Sequence, residues 1–259
     1  MIEIKNLSAS YSKKGKPTIV DISFSLPSSQ VGALLGANGA GKTTFFKAML
    51  GLIPSKGSIQ LDGKELSSLP SRERARDIAY IPQQISFGSL TVYDAVLLGR
   101  LPHFGIQESK KDQEEVLSVL KLLSLEDLAM RNTEELSGGE RQKVAIARAL
   151  VLHPKLILCD EPIANLDLKN QILVLEEIAS LAKKSNVSVL LSIHDVRFAL
   201  NVGDRFLFLK RGHLLADKTK EDVTIDDILA TYDIDKDDSR FHFLVDHFPS
   251  KGQHENEKD

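Results

Sequence analysis

Apolar and polar residues alternate with period two in some stretches of the chain and with a helical period in others, and the two patterns interleave along its length. Residues 2–5 and 18–26 read as strands, the second alternating over Ile22, Phe24 and Leu26. Residues 31–35 are apolar almost without break, as a strand covered on both faces is. Residues 45–50 read as the body of a helix, which Gly51 ends and Pro54 keeps from resuming. A short strand at 58–61 precedes the hairpin-type turn Asp62-Gly63. Residues 71–77 read as a short polar helix with Ser71 as N-cap, and residues 78–81 as a strand.

Residues 91–100 read as a helix capped by Thr91, with Asp94 three positions on, and residues 101–109 as a loop containing Pro and Gly. A second helix over 110–123 carries Val116, Leu117, Val119, Leu120 and Leu123 as its apolar stripe. Residues 141–152 follow as a helix with the stripe Val144, Ala145, Ala149 and Leu152, and residues 156–160 as a buried-type strand. The helix over 168–183 collects Ile172, Leu175, Ile178, Ala179 and Ala182 on one face. Residues 187–193 are β-rich, residues 205–210 and 213–216 pair around Arg211-Gly212, and Thr224 caps a short helix ending near 231. Strands alternating with helices predict an α/β fold. Beyond about residue 235 the chain is polar and mixed in charge, with one apolar patch at 241–245. Residues 236–259 are therefore expected to be a tail, disordered at least over 250–259. His242, His247 and His254 fall there at spacings that fit no metal-ligand motif.

Composition narrows this picture modestly. The 259 residues suit one large domain, or a core domain with a smaller subdomain. The net charge of −3, with no long basic run, gives no footprint for nucleic acid. No apolar run approaches the ~18 residues a membrane span needs, and the first residues look like a strand with no signal-peptide pattern. The single cysteine, Cys159, has no internal partner for a disulfide, which fits a reducing compartment.

Chemistry concentrates at a few breaks in the pattern. Gly36-Ala37-Asn38-Gly39-Ala40-Gly41-Lys42-Thr43-Thr44 lies between the 31–35 strand and a helix, and matches G-x-x-x-x-G-K-[ST], the phosphate-binding P-loop. Glycines let successive N–H groups turn inward around phosphates, and the helix start adds its positive dipole end. Lys42 can reach the outer phosphates and the Thr43 hydroxyl can ligate Mg²⁺. Leu136-Ser137-Gly138-Gly139-Glu140 opens another helix and reads as a second anion site or as an ordinary N-cap. Two such helix starts about a hundred residues apart suggest one composite site. The 156–160 strand ends in Asp160-Glu161, where an Asp can order a Mg²⁺ shell and an adjacent Glu can position or deprotonate water. Three residues read two ways. Tyr11 offers a face for an adenine or packs at a sheet edge. Gln83 ligates Mg²⁺ and orients water, or lies on the surface. His194 senses a γ-phosphate, or only bonds its neighbour at a strand end.

Together these motifs resemble the nucleotide-binding subunit of ABC transporters over about residues 1–230. The resemblance rests on the P-loop, the signature at 136–140, the Walker B end Asp160-Glu161, the D-loop Asn165-Leu166-Asp167 and the switch His194. It implies a P-loop NTPase core, a mixed sheet flanked by helices, with an N-terminal antiparallel β subdomain. A helical subdomain, about residues 84–135, is inserted between Q-loop and signature, and residues 1–235 form the ATP-binding domain. It implies ATP and Mg²⁺ as ligands. Gly36, Asn38, Gly39, Ala40, Gly41, Lys42, Thr43 and Thr44 bind nucleotide, and Tyr11 is the stacking aromatic. Thr43, Gln83 and Asp160 attend the metal, and Glu161, His194 and Gln83 serve catalysis. Ser137, Gly138 and Gly139, with Asp167, would meet the nucleotide across the interface of a head-to-tail homodimer. Transmembrane permease subunits, and indirectly a substrate-binding protein, are the further partners, which places the chain peripherally on the cytoplasmic face of a membrane.

Within the family, Ile81-Pro82-Gln83-Gln84 and Thr91 to His103 look like the ATPases of metal-chelate importers, which serve iron–siderophore, haem and cobalamin permeases. Zinc and manganese importers share part of that stretch and stand as the alternative. A soluble ABC ATPase acting on DNA or ribosomes would usually carry two nucleotide domains, a coiled coil or basic segments, and none is visible. A module that binds ATP without hydrolysing it has no use for Asp160-Glu161 and His194. Two departures from the family pattern stand out: Ile163 replaces a usual Thr or Ser, and Phe45-Phe46 replace smaller aliphatics.

Overall fold

A computed structural model describes residues 1–12, 15–105, 107–164 and 166–235. The N-terminal strands β1 (Ile2–Ala9) and β2 (Ile19–Leu26) alternate between buried and exposed positions, as antiparallel strands with one wet face do. β3 (Val31–Leu35) is buried at every residue and leads into α1 (Lys42–Met49). β4 (Ser55–Leu61), β5 (Lys64–Glu65), α2 (Ser71–Asp77) and β6 (Ile78–Ile81) follow. Next come α3 (Val92–Leu97), α4 (Lys110–Leu122) and α5 (Gly138–Leu150). The last third of the fold is β7 (Leu156–Asp160), α6 (Leu168–Lys184), β8 (Ser188–Ser192), α7 (Val196–Val202), the hairpin β9 (Arg205–Lys210) and β10 (His213–Thr219), and α8 (Ile225–Tyr232).

The strands form two sheets. An antiparallel sheet runs β2-β1-β4-β5, and a six-stranded sheet runs β10-β9-β3-β8-β7-β6. In the second, β9, β3, β8, β7 and β6 are parallel and β10 adds an antiparallel edge. A mixed sheet with flanking helices beside an antiparallel sheet is the architecture the sequence implies. β3, β7 and β8 are buried at every position because each of their faces has its own core. One core joins their outer face to α3, α4, α5 and α6. The other lies between the sheets, where Leu34, Leu158 and Leu190 meet Ile2, Ile4 and Ile59 around α1.

Phe45 and Phe46 fill that second core. Both are essentially inaccessible, and their rings run in a chain from Phe24 through Phe45 and Phe46 to Tyr80, with centroids 5.9, 6.0 and 6.5 Å apart. The bulk that departs from the family pattern therefore wedges α1 between the two sheets and anchors the loop before it.

Several expectations need correction. The N-cap position of α2 is Pro70, one residue before Ser71. The helix expected over 91–100 is α at Val92–Leu97 and tightens to a 3₁₀ turn at Leu98–His103, where Pro102 lacks the N–H a longer α-helix needs. Leu117 faces solvent, because the buried stripe of α4 is Val116, Val119 and Leu120. Ile172 is also exposed, since only the later turns of α6 reach the sheet. α7 has no counterpart in the sequence-based expectations; Asp195 caps it by accepting from the Arg197 N–H. The tail patch at 241–245, with His242, His247 and His254, and Asn165 of the D-loop lie outside the described residues. No helix among the described residues is long and apolar enough to cross a membrane.

Inside the helical layer one ion pair is buried. Arg100 Nε donates to Asp112 Oδ1 at 2.9 Å, and its Nη1 to the Val151 carbonyl at 2.9 Å. Burial alone would raise the Asp112 carboxyl, but hydrogen bonds from Ser109 and Arg100 outweigh it and hold it at about 2. Truncating Phe46 to Ala empties the space between the sheets and is expected to cost about 3–5 kcal/mol of folding stability, measured by urea unfolding; a loss under about 1 kcal/mol would show that the wedge is dispensable.

Candidate functional site

The C-terminal ends of β3, β7 and β8 lie side by side, so the loops that follow them share one edge. The loop after β3 passes so close to β9 that a Cβ on Gly36 would stand 2.4 Å from the Leu209 carbonyl oxygen. Gly41, at φ 110°, turns the loop into α1 in a conformation other residues rarely adopt. The Gly212 N–H donates to the Ala40 carbonyl at 2.9 Å and pins the loop from the β9–β10 turn. The resulting cavity, about 340 Å³, is lined by Thr18, Asn38 to Thr44 and Glu161.

Lys42 is nearly buried, and its ammonium donates to the carbonyls of Gly36 at 2.7 Å and Ala37 at 3.3 Å. Burial lowers its pKa, and the nearby Glu161 and Asp160 carboxylates oppose that shift. The cation thus sits folded over its own loop, within reach of any anion the loop holds.

Asp160 is the hub. Its register partner across β7 and β8 is Ser192, whose hydroxyl donates to Asp160 Oδ1 at 2.7 Å. Oδ2 accepts from the Thr43 hydroxyl at 2.9 Å and from Tyr80 at 3.2 Å. Burial, with the Asp160 charge and hydrogen bond, pushes the Tyr80 phenol well above its ordinary pKa, so it stays a donor. Cys159, fully buried one residue earlier, is pushed by burial up to about 12 and is an inert packing group.

Glu161 leaves the strand in the left-handed region at φ 51°, while its N–H donates to the Ser192 hydroxyl at 2.9 Å. That turn swings its carboxylate between two side chains. Gln83 Nε2 donates to Oε2 at 2.7 Å, and His194 Nε2 meets Oε1 in a short hydrogen bond. Gln83, Glu161 and His194, spread over more than a hundred positions, are thereby joined at the edge of the P-loop cavity.

Tyr11 stands exposed over the start of α1, with its hydroxyl 3.2 Å from Thr44 Oγ1 and the Lys47 ammonium 5.5 Å from its ring centre. The Ser-Gly-Gly corner lies elsewhere. Ser137 caps α5 in a reciprocal box with Glu140, and those hydrogen bonds hold the Glu140 carboxyl below its usual range. Gly139 abuts Asn170, and Asp167 caps α6 by accepting from Asn170. None of Ser137, Gly138, Gly139 or Asp167 lines the P-loop cavity. Within one chain the two helix starts that the sequence marks as anion sites do not share a cavity.

The ABC transporter family profile matches residues 19–164. The chain belongs to the ABC transporter family. This ABC chain is 42% identical over 226 residues to an uncharacterised ABC transporter ATP-binding protein of Methanocaldococcus jannaschii, covering 87% of the chain and 89% of the relative. It is 38% identical over 240 residues to a Helicobacter pylori protein named a probable iron chelatin transport ATP-binding protein, covering 90% and 93%. It is also 36% identical over 226 residues to the lipopolysaccharide export ATP-binding protein LptB of Escherichia coli, covering 86% and 92%. Among solved structures it superposes on one assigned to the metal-chelate type of ABC transporter, in an inward-facing conformation, with TM-score 0.77, 29% identity and coverage of 89% and 88%. A dimeric ATP-binding cassette in a post-hydrolysis state with ADP and Pi superposes with TM-score 0.73 and 25% identity, covering 85% of this chain and 99% of that one. This ABC chain is an ATP-binding subunit and an ATPase.

Sequence reasoning did not single out Ser192 or Tyr80. Ser192 ends an apolar run two positions before His194, where a lone hydroxyl looks incidental, and Tyr80 passes for strand packing. Replacing Lys42 with Ala is expected to weaken ATP binding at least tenfold by titration calorimetry, since a charge-assisted contact to phosphate is worth about 1.5–3 kcal/mol; parental affinity would remove Lys42 from the nucleotide site.

Proposed function

We propose that this chain is the energy-coupling ATPase of an importer for a metal chelate such as an iron–siderophore, haem or cobalamin, with a zinc or manganese importer as the nearest alternative. The observation that carries the chemistry is the clasp of Glu161 by Gln83 and His194 beside the Thr43–Asp160 pair. The metal-chelate assignment is supported by the Helicobacter pylori relative and the metal-chelate type structure. The similarity to LptB favours a second reading, an export system.

The loop amides and Lys42 hold the triphosphate, and Tyr11 stacks on the base. Thr43 Oγ1 and Asp160 Oδ2, oxygen ligands 2.9 Å apart, fit a hard divalent cation, and Gln83 is held on the neighbouring Glu161. When bound, Mg²⁺ would neutralise charge on the phosphate oxygens. Glu161 orients the attacking water and accepts its proton, while Gln83 and His194 fix the carboxylate and then serve the γ-phosphate. Positioning and charge stabilisation are most of what phosphoryl transfer asks of a protein.

Ser137, Gly138, Gly139 and Asp167 complete the site from a second copy, head to tail, so that two ATP molecules lie in the interface. Their absence from the P-loop cavity of their own chain supports this. The segment of about residues 84–135 acts as the helical subdomain. Between it and the sheet runs a groove of about 440 Å³, walled by Ile81, Phe87, Leu101, Ala145 and Ala149 and starting next to Gln83. A cytoplasmic segment of a permease subunit docks there, which holds the ATPase at the inner face of the membrane and joins it indirectly to a substrate-binding protein.

Replacing Glu161 with Gln is expected to preserve ATP binding, cut turnover at least a hundredfold and accumulate an ATP-dependent dimer in gel filtration; hydrolysis at the parental rate would end the role given to Glu161. Leu101 is half exposed at the groove mouth, so Leu101→Glu is expected to leave hydrolysis by the isolated subunit unchanged and abolish co-purification with the permease. Intact co-purification would place docking elsewhere. Identifying that permease separates import from export.

A further inference from the structure

His194 is held at both ends. Its imidazole meets Glu161, and its backbone carbonyl lies 3.4 Å from the hydroxyl of Tyr232. Tyr232 is the last residue of α8, far beyond the profile match at 19–164, and belongs to none of the motifs described above. The phenol serves here as a donor to the backbone of His194.

The helix that delivers this group is fixed in place. Ile228, Leu229 and Thr231 are buried, and Tyr232 packs against the main core. Lys210, on β9 beside the P-loop strand, donates to the Ala230 carbonyl and pairs with Asp233 at 2.5 Å, while Arg211 reaches the same carboxylate at 3.4 Å. The Ile234 N–H closes the helix on the Leu229 carbonyl at 3.0 Å. Burial raises the phenol to about 12, so it keeps its proton at neutral pH.

We infer that Tyr232 is a positioning residue for ATP hydrolysis: its hydroxyl ties the backbone of His194 to α8 and so holds the imidazole on Glu161. Resting on the role proposed for His194, this makes α8 part of the hydrolytic machinery. The strand β8 ends at Ser192, so Ile193 and His194 lie beyond its paired residues. The Ile193 N–H still reaches the Leu34 carbonyl, at 3.4 Å. The Tyr232 hydroxyl is the side-chain group that reaches the His194 carbonyl.

The test uses the full chain and four proteins: parent, Tyr232→Phe, His194→Ala and the double variant. Phe keeps the ring in the core and removes only the hydroxyl. Tyr232→Phe is expected to lower kcat about fivefold with KM for ATP within twofold of the parent, the change one neutral hydrogen bond of about 1 kcal/mol converts to. In the His194→Ala background the same substitution is expected to lower kcat less than twofold, since two residues acting through one contact are not additive. Parental kcat in Tyr232→Phe, with His194→Ala impaired, would overturn the tie alone. An equal loss in both backgrounds would also overturn it, as the phenol would then serve the fold in general. Parental turnover in His194→Ala would remove the proposed role of His194 and the tie with it.

Discussion

The structure depends on a carboxylate at the end of a buried strand. Asp160 is almost inaccessible, and a charge there is tolerable only with its oxygens hydrogen-bonded. Three hydroxyls meet that need, from Thr43 at the start of α1, Tyr80 on β6 and Ser192 on β8. Each belongs to a different element. Satisfying one acid therefore locks the P-loop helix, the strand that leads to Gln83 and the strand that leads to His194 into one register. The next residue inherits that order: Glu161 turns left-handed with its N–H on Ser192, and the turn presents its carboxylate to Gln83 and His194.

Packing enforces the same alignment from below. α1 is wedged between two sheets by Phe45 and Phe46, so the loop before it cannot drift without opening a core. Lys42, at the first turn of that helix, is thus folded over the Gly36 and Ala37 carbonyls. The rigidity of the loop comes from both sides: β9 blocks any side chain at Gly36, and the Gly212 N–H holds Ala40. A preformed cradle of this kind spares nucleotide binding much of the ordering that would otherwise oppose it.

Much of this was legible in the chain. The P-loop glycines with Lys42 and Thr43, the Ser-Gly-Gly corner and the paired acids each interrupt an apolar pattern with residues that packing has no use for. Strands β3, β7 and β8 were legible for the same reason, as apolar runs too short for buried helices. Other features were hidden because their residues look ordinary. Tyr80 and Ser192 fit a strand as packing residues, α7 is too short to show a period, and Leu117 and Ile172 share the apolar character of neighbours that do reach the core. Which side of an amphipathic helix meets the sheet is set by the helix's approach angle, and one chain's periodicity does not contain it.

By itself, then, the order of residues determined the alternating α/β architecture, the P-loop, the Ser-Gly-Gly helix start and the acid pair, because each is a local pattern set by neighbours within a few positions. Only the tertiary structure decided that Gln83, Glu161 and His194 meet, that Asp160 is shared among three elements, that Ser137 and Gly139 lie away from the loop in their own chain, and that Tyr232 touches the switch. Those contacts join residues far apart in sequence, and they arise from strand order and from which helix covers which face of the sheet.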